Sequence, residues 1–146
     1  MLVQMALGAA MIVLSVVVAG AFLLIATNQV IAAAPWLQRE PHGMRFMALL
    51  IAVTLWVQAG TALVVALWAW LFMALGLFGE FEAALYFALV SFTTLGFGDV
   101  LLPEDWRLLS GFAAANGFLL FGLFTAFLAE TMRRIRLEQI AGRGLR

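Results

Sequence analysis

The chain has 146 residues, 66% of them hydrophobic and 11% charged, with a formal net charge of +0. Soluble domains carry about a quarter charged residues, so too little polar surface is present here to cover a water-soluble globule, and the mean hydropathy of +1.10 points to a membrane protein. With no cysteine, disulfides and thiolate metal sites are excluded, and the single histidine, His42, cannot make a metal site alone.

A helix needs about 20 apolar residues to cross the hydrocarbon core. Residues 2–34 hold no charge and exceed that length. Ala32-Ala33-Ala34 imitates a signal-peptide cleavage site. However, no basic residue precedes the run, the run is longer than a signal core, and Pro35 would follow the cut. A retained transmembrane helix is therefore predicted, with Thr27-Asn28-Gln29 near the end of the hydrocarbon and Trp36 as an interfacial anchor. Residues 35–45, with Arg39, Glu40, Pro41, His42 and Gly43, read as a connector. His42 titrates in the physiological range, which leaves a sensor role beside the plainer one of an exposed loop residue.

Residues 46–78 form a second uncharged run, with Trp68 and Trp70 where the far membrane face should lie. Thr54 and Gln58 are expected to bond to neighbouring helices, and Gly60 to serve close packing. Gly79, Glu80 and Glu82 interrupt the apolar sequence. The stretch 81–92 is too short to span and reads as re-entrant, a short helix over 81–93. Residues 106–133 make a full crossing, and a basic tail occupies 134–146. The fold class is all-α and integral to the membrane, with three spans and one half-span.

The arginines orient it. Arg39 and Arg45 lie in the connector, and Arg133, Arg134, Arg136, Arg143 and Arg146 at the C-terminal end, so one face holds seven of the eight. That face is expected to be cytoplasmic and the N-terminus outside. The basic cluster suits anionic lipid heads, though topology alone accounts for it equally well. Glu80, Glu82, Asp99, Glu104 and Asp105 share the other face with Arg107.

Between half-span and last span lies Ser91-Phe92-Thr93-Thr94-Leu95-Gly96-Phe97-Gly98-Asp99. Irregular backbone at membrane depth is tolerated only inside protein or along a watery path. Two glycines one residue apart allow positive φ, so successive carbonyls can turn the same way. A row of such carbonyls, repeated by symmetry, can replace the water shell of a monovalent cation.

Thr94-Leu95-Gly96-Phe97-Gly98-Asp99 resembles the filter of the pore-loop potassium channels, Thr-Val-Gly-Tyr-Gly-Asp, with Leu for Val and Phe for Tyr. The resemblance runs from the second span to the end of the third. It implies a homotetramer in a lipid bilayer, of the small bacterial inner-membrane kind, that conducts K+ passively and catalyses nothing. K+ would bind at the carbonyls of Thr94, Leu95, Gly96 and Phe97, with Gly98 completing the strand and the Thr94 hydroxyl at the inner end. Filter support would come from Thr93, Asp99, Tyr86, Phe87 and Val90. Tyr86 and Phe87 fall where the family braces its filter from behind. Val90 stands where some members place a glutamate that partners the aspartate, so Asp99 needs another partner or faces water. Phe97 lacks the hydroxyl of the commoner tyrosine.

Gly117 falls near the family's gating hinge, but glycine in a span also serves packing; both readings stand, with packing favoured at Gly111 and Gly122. Thr125 and Glu130 are cavity or gate candidates, and a solvated helix end explains Glu130 as well. No span carries the spaced arginines of a voltage sensor. Beyond permeant K+, no cofactor and no nucleic-acid partner is expected. The first span has no counterpart in the resemblance; it packs outside the second span or meets a partner protein. Two other functions share this architecture, a weakly selective cation channel and a non-conducting subunit of a larger assembly.

Overall fold

The computed structural model describes residues 1–37 and 42–144, with side chains for 1–37 and 43–137. The proposed connector residues Arg39, Glu40 and Pro41, the His42 side chain, and the tail arginines Arg143 and Arg146 lie outside the described side chains. Four α-helices follow in chain order: α1 (Leu2–Leu37), α2 (His42–Ala74), α3 (Phe81–Phe92) and α4 (Arg107–Gly144). A single 3-10 turn, Glu104–Trp106, leads into α4. Among the described residues, three helices are long and apolar enough to cross a membrane, and α3 is a shorter apolar one.

The helix ends differ from the expected bounds for local reasons. α1 runs through Pro35 to Leu37, because a proline this close to a helix end removes one bond and leaves few turns to disrupt. The exposed Trp36 carbonyl accepts from Arg45 Nη1 at 2.7 Å, and the Arg45 guanidinium lies 5.2 Å from the Trp36 ring centre. His42 and Gly43 belong to α2 rather than to a loop. α2 stops at Ala74, short of 78, because Gly76 takes φ +69. The Gly76 amide donates to Met73 O at 2.9 Å and the Leu77 amide to Phe72 O at 3.0 Å, the paired bonds of a Schellman cap. α4 continues through the basic tail to Gly144.

α1 runs antiparallel to α2 and parallel to α4. Trp56 Nε1 of α2 donates to Phe22 O at 2.9 Å, and Arg45 reaches Trp36. Towards α4, Gln4 lies beside Leu108, and Ser15 beside Asn116. The first span therefore docks on both other spans of its own chain, through a buried stripe of Gln4, Gly8, Met11, Ser15, Ala19 and Ala26. Small residues let helix backbones approach closely. A Cβ at Gly8 would lie 2.6 Å from Phe112 Cδ2, and one at Gly60 2.9 Å from Phe22 Cδ1. Gly60 thus packs as expected, whereas Gly111 and Gly122 face open space within the chain. Thr54 and Gln58 are likewise exposed and touch no neighbouring helix by hydrogen bond among the described residues.

α3 sits in the angle between α2 and α4. Trp68, Phe72, Phe92, Leu109 and Leu120 are fully buried there. Trp68 is therefore a core residue, while Trp70 stays exposed against Phe81, ring centres 5.9 Å apart.

Candidate functional site

The segment 94–99 leaves the C-terminal end of α3 and lies open on the chain's surface. α3 begins after Glu80, whose backbone is extended, and carries Glu82 in its first turn, where a carboxylate favours the positive end of the helix dipole. Apolar residues at 84, 87, 88 and 92 bury its inner face. Phe87 is buried, its ring 5.3 Å from Phe72 of α2 and 5.4 Å from Phe78, and helps fix α3 on α2.

The amides leaving α3 fold back on its end. Thr93 N donates to Leu89 O at 2.9 Å and Thr94 N to Ser91 O at 2.9 Å. Val90 O accepts from two of these amides, Leu95 N at 3.0 Å and Gly96 N at 3.3 Å, and from Thr93 Oγ1 at 3.4 Å. The Val90 side chain is buried, and its carbonyl anchors the segment. Thr93 Oγ1 also turns back, to Leu89 O at 2.8 Å. Among the described residues, no backbone hydrogen bond ends on the carbonyls of Thr94, Leu95, Gly96 or Phe97.

Backbone handedness alternates along the segment. φ is +60 at Thr94, +57 at Gly96 and +77 at Gly98, while Leu95 and Phe97 keep negative φ. Glycine adopts this conformation freely. Thr94, β-branched, does so against a cost of roughly 1–2 kcal/mol, the kind of local strain that collects at functional sites. Residues that alternate in hand along an extended chain turn their carbonyls to one side, in place of the alternation seen in a strand. Leu95 and Phe97 remain largely exposed.

Asp99 has the partner that Val90 cannot supply. Tyr86 Oη donates to Asp99 Oδ2 at 2.6 Å, and Val100 N donates to Oδ1 at 3.0 Å. The Tyr86 hydroxyl holds the Asp99 carboxyl below its ordinary range. Of the two aromatics expected to support the segment, Tyr86 alone touches it by hydrogen bond. Glu80, Glu82, Ala83, Tyr86 and Val100 line an open recess of about 390 Å³ beside this pair.

Gly117 is buried in regular α4 helix against the end of α3. A Cβ there would lie 2.7 Å from the Phe92 carbonyl carbon and 3.0 Å from Phe92 Cδ1, with the carbonyl oxygen nearer still. This close approach is a packing reason for glycine at 117. Thr125 is exposed on α4, on the same face as Gly111, Ala115, Phe118 and Gly122. That face is small or apolar and is left uncovered among the described residues. Glu130 lies about 20 Å along α4 from Gly117. It accepts from Arg133 at 2.8 and 2.9 Å and from Arg134 at 2.8 Å, beside a groove that α1 lines with Thr27, Val30 and Ile31. The arrangement groups segment 94–99 with Tyr86, Val90 and Gly117, and Thr125 and Glu130 lie further along α4.

Three polar residues that sequence reasoning did not single out prove to join the helices: Gln4, Ser15 and Asn116. Their signal was polarity inside uncharged spans, where such side chains face protein. Gln4 caps α4, accepting from Leu108 N at 3.1 Å through Oε1 and donating to Asp105 O through Nε2.

Compared with known families, residues 50–134 match the family described as "Ion channel". No curated protein and no solved structure matches the chain.

Proposed function

Since a match over more than half its length makes this chain a member of that ion channel family, we propose that it is one subunit of a potassium-selective channel, with segment 94–99 as the ion filter. The observation that carries the reading is the alternation of positive φ at Thr94, Gly96 and Gly98 beside carbonyls that no backbone donor claims. Potassium would shed its water against the oxygens of Thr94, Leu95, Gly96 and Phe97 and pass between stacked rings, ion displacing ion. One chain supplies one strand of such a ring, so closure requires symmetry; four copies about an axis is the assembly we assign. The exposed face of α4 and the bare Leu95 and Phe97 support it, being surfaces that neighbouring copies would cover.

In this reading the arginine-rich end faces the cytoplasm of a bacterial cell and the N-terminus lies outside. Glu80, Glu82 and Asp99 then ring the outer mouth and raise the local cation concentration. The C-terminal end of α3, with its partial negative charge, faces the inner cavity and favours a cation there.

The test is potassium flux into liposomes holding the purified protein, with barium as blocker and bi-ionic reversal potentials for K+ against Na+. Flux that barium blocks, with K+ strongly preferred, is expected. Gly96→Ala should abolish the preference, because alanine at φ +57 carries a strain of roughly 1–2 kcal/mol in each subunit. Equal passage of Na+ would leave a weakly selective channel. No flux at any voltage, pH or tension would remove the channel reading.

A further inference from the structure

Within that reading the first helix reaches the filter through one buried bond, and we propose that Ser15 and Asn116 are positioning residues of the filter. Asn116 lies in the N-terminal third of α4 and is fully buried. Its Nδ2 donates to Ser15 Oγ at 2.7 Å, and Ser15 Oγ in turn donates to Met11 O at 2.7 Å. The Asn116 Oδ1 has no partner among the described residues. The bond to Ser15 is thus the single hydrogen bond that holds this amide, in surroundings where water cannot replace it.

The next residue, Gly117, is where α4 meets the end of α3 backbone to backbone, at the Phe92 carbonyl. Thr93 and Thr94 follow directly. Two further contacts tie the same places together: Phe92 packs on Phe121 one turn along α4, ring centres 5.9 Å apart, and Thr94 N is held by Ser91 O. Rotation of α4 about its axis would swing Gly117 away from Phe92 and bring Asn116 or Phe118 towards it. Either side chain would collide where only glycine fits. The Ser15 bond opposes that rotation because α1 is itself fixed on either side of Ser15, by Gln4 on the first turn of α4 and by the Phe22 contacts with Trp56 and Gly60 of α2. α1 is therefore a strut set behind the pore: Ser15 holds Asn116, Asn116 sets the rotation of Gly117, and Gly117 seats the carbonyl from which the filter strand departs. Coupling of this kind has to be measured.

The experiment uses the full chain in liposomes and reads the K+/Na+ permeability ratio together with the thermal stability of the assembly. In Ser15→Ala and Asn116→Ala the ratio should fall about fivefold, the effect of losing one ordinary buried hydrogen bond. The exchanged pair, Ser15→Asn with Asn116→Ser, should recover most of it. Ser15→Ala with Asn116→Leu removes the bond but leaves no orphaned polar group, so it should assemble as firmly as the parent and still lose selectivity. Gly60→Ala, which loosens the α2 contact that braces α1, should lower stability and the ratio together. If the apolar pair assembles and keeps the parental ratio, Ser15 and Asn116 merely hold helices together and the inference is overturned, whatever the single variants do. A parental protein that passes no K+, or passes Na+ equally, overturns the channel reading instead.

Discussion

Replacing Gly117 with alanine tests the join between α3 and α4. The added Cβ would lie 2.7 Å from the Phe92 carbonyl carbon, whereas ordinary contact begins at 3.4 Å. The helices must therefore part by at least roughly 0.7 Å, and by more to clear the carbonyl oxygen. Both sides of the clash are backbone or Cβ, so no rotamer change relieves it. Overpacking of this kind costs about 1–3 kcal/mol, and the better helix propensity of alanine returns up to ~1 kcal/mol. A net loss of about 1–2 kcal/mol per subunit is expected, together with displacement of Thr93 and Thr94. The assays are thermal unfolding of the assembly, followed by size-exclusion chromatography, and the bi-ionic K+/Na+ ratio. Lower stability and lower selectivity should appear together. A hinge glycine predicts the opposite: alanine would stiffen α4, keep or raise stability, and change how often the pore opens without changing which ion passes. Unchanged stability and selectivity in Gly117→Ala would refute the packing argument.

Three further outcomes follow from particular contacts. In Tyr86→Phe the Asp99 carboxyl loses the donor that holds its pKa below the ordinary value; its midpoint should rise, as read by isotope-edited infrared titration. The sign is fixed by linkage: the bond's stabilisation is complete above the ordinary carboxylate pKa and disappears as pH falls through the depressed one. The parent should thus withstand acid further down than the variant. A graded series of helix glycines, Gly8→Ala, Gly60→Ala and Gly43→Ala, should run from most destabilised to slightly stabilised, because the nearest contacts open from the Phe112 ring, through Phe22 at 2.9 Å, to nothing within 4 Å. Overpacking sets the first at about 1–3 kcal/mol and propensity the last at ~0.5–1 kcal/mol the other way, measured by thermal unfolding. Glu130→Gln should leave the thermal unfolding midpoint nearly unchanged, because Arg133 and Arg134 bridge to a carboxylate that is 40% exposed and screened by solvent.

The three crossings and the half-span were readable because uncharged length alone separates a span from a re-entrant stretch. What length cannot supply is rotation. Every face of α1 is apolar, so hydropathy could not tell which one docks; the answer lay in residue size and in isolated polarity, at Gly8, Ser15 and Gln4. Asn116 carried the same signal beside a glycine whose motif position drew attention to bending instead. The end of α2 was misjudged because Leu77 and Phe78 continue the apolar run after Gly76 has already turned the chain. Around segment 94–99 the glycine spacing foretold positive φ at Gly96 and Gly98, but not at Thr94, where a β-branched residue is the least expected occupant. The Tyr86–Asp99 bond was hidden for another reason. It joins a helix to a loop whose path only the fold determines.

α4 extends without interruption from Arg107 to Gly144, 38 residues. At 1.5 Å per residue that is roughly 57 Å, nearly twice the ~30 Å of hydrocarbon it has to cross. Close to half of the rod therefore lies beyond the apolar layer, and its final turns, past Arg133 and Arg134, extend a stalk of helix away from the bundle that α1 and α2 form.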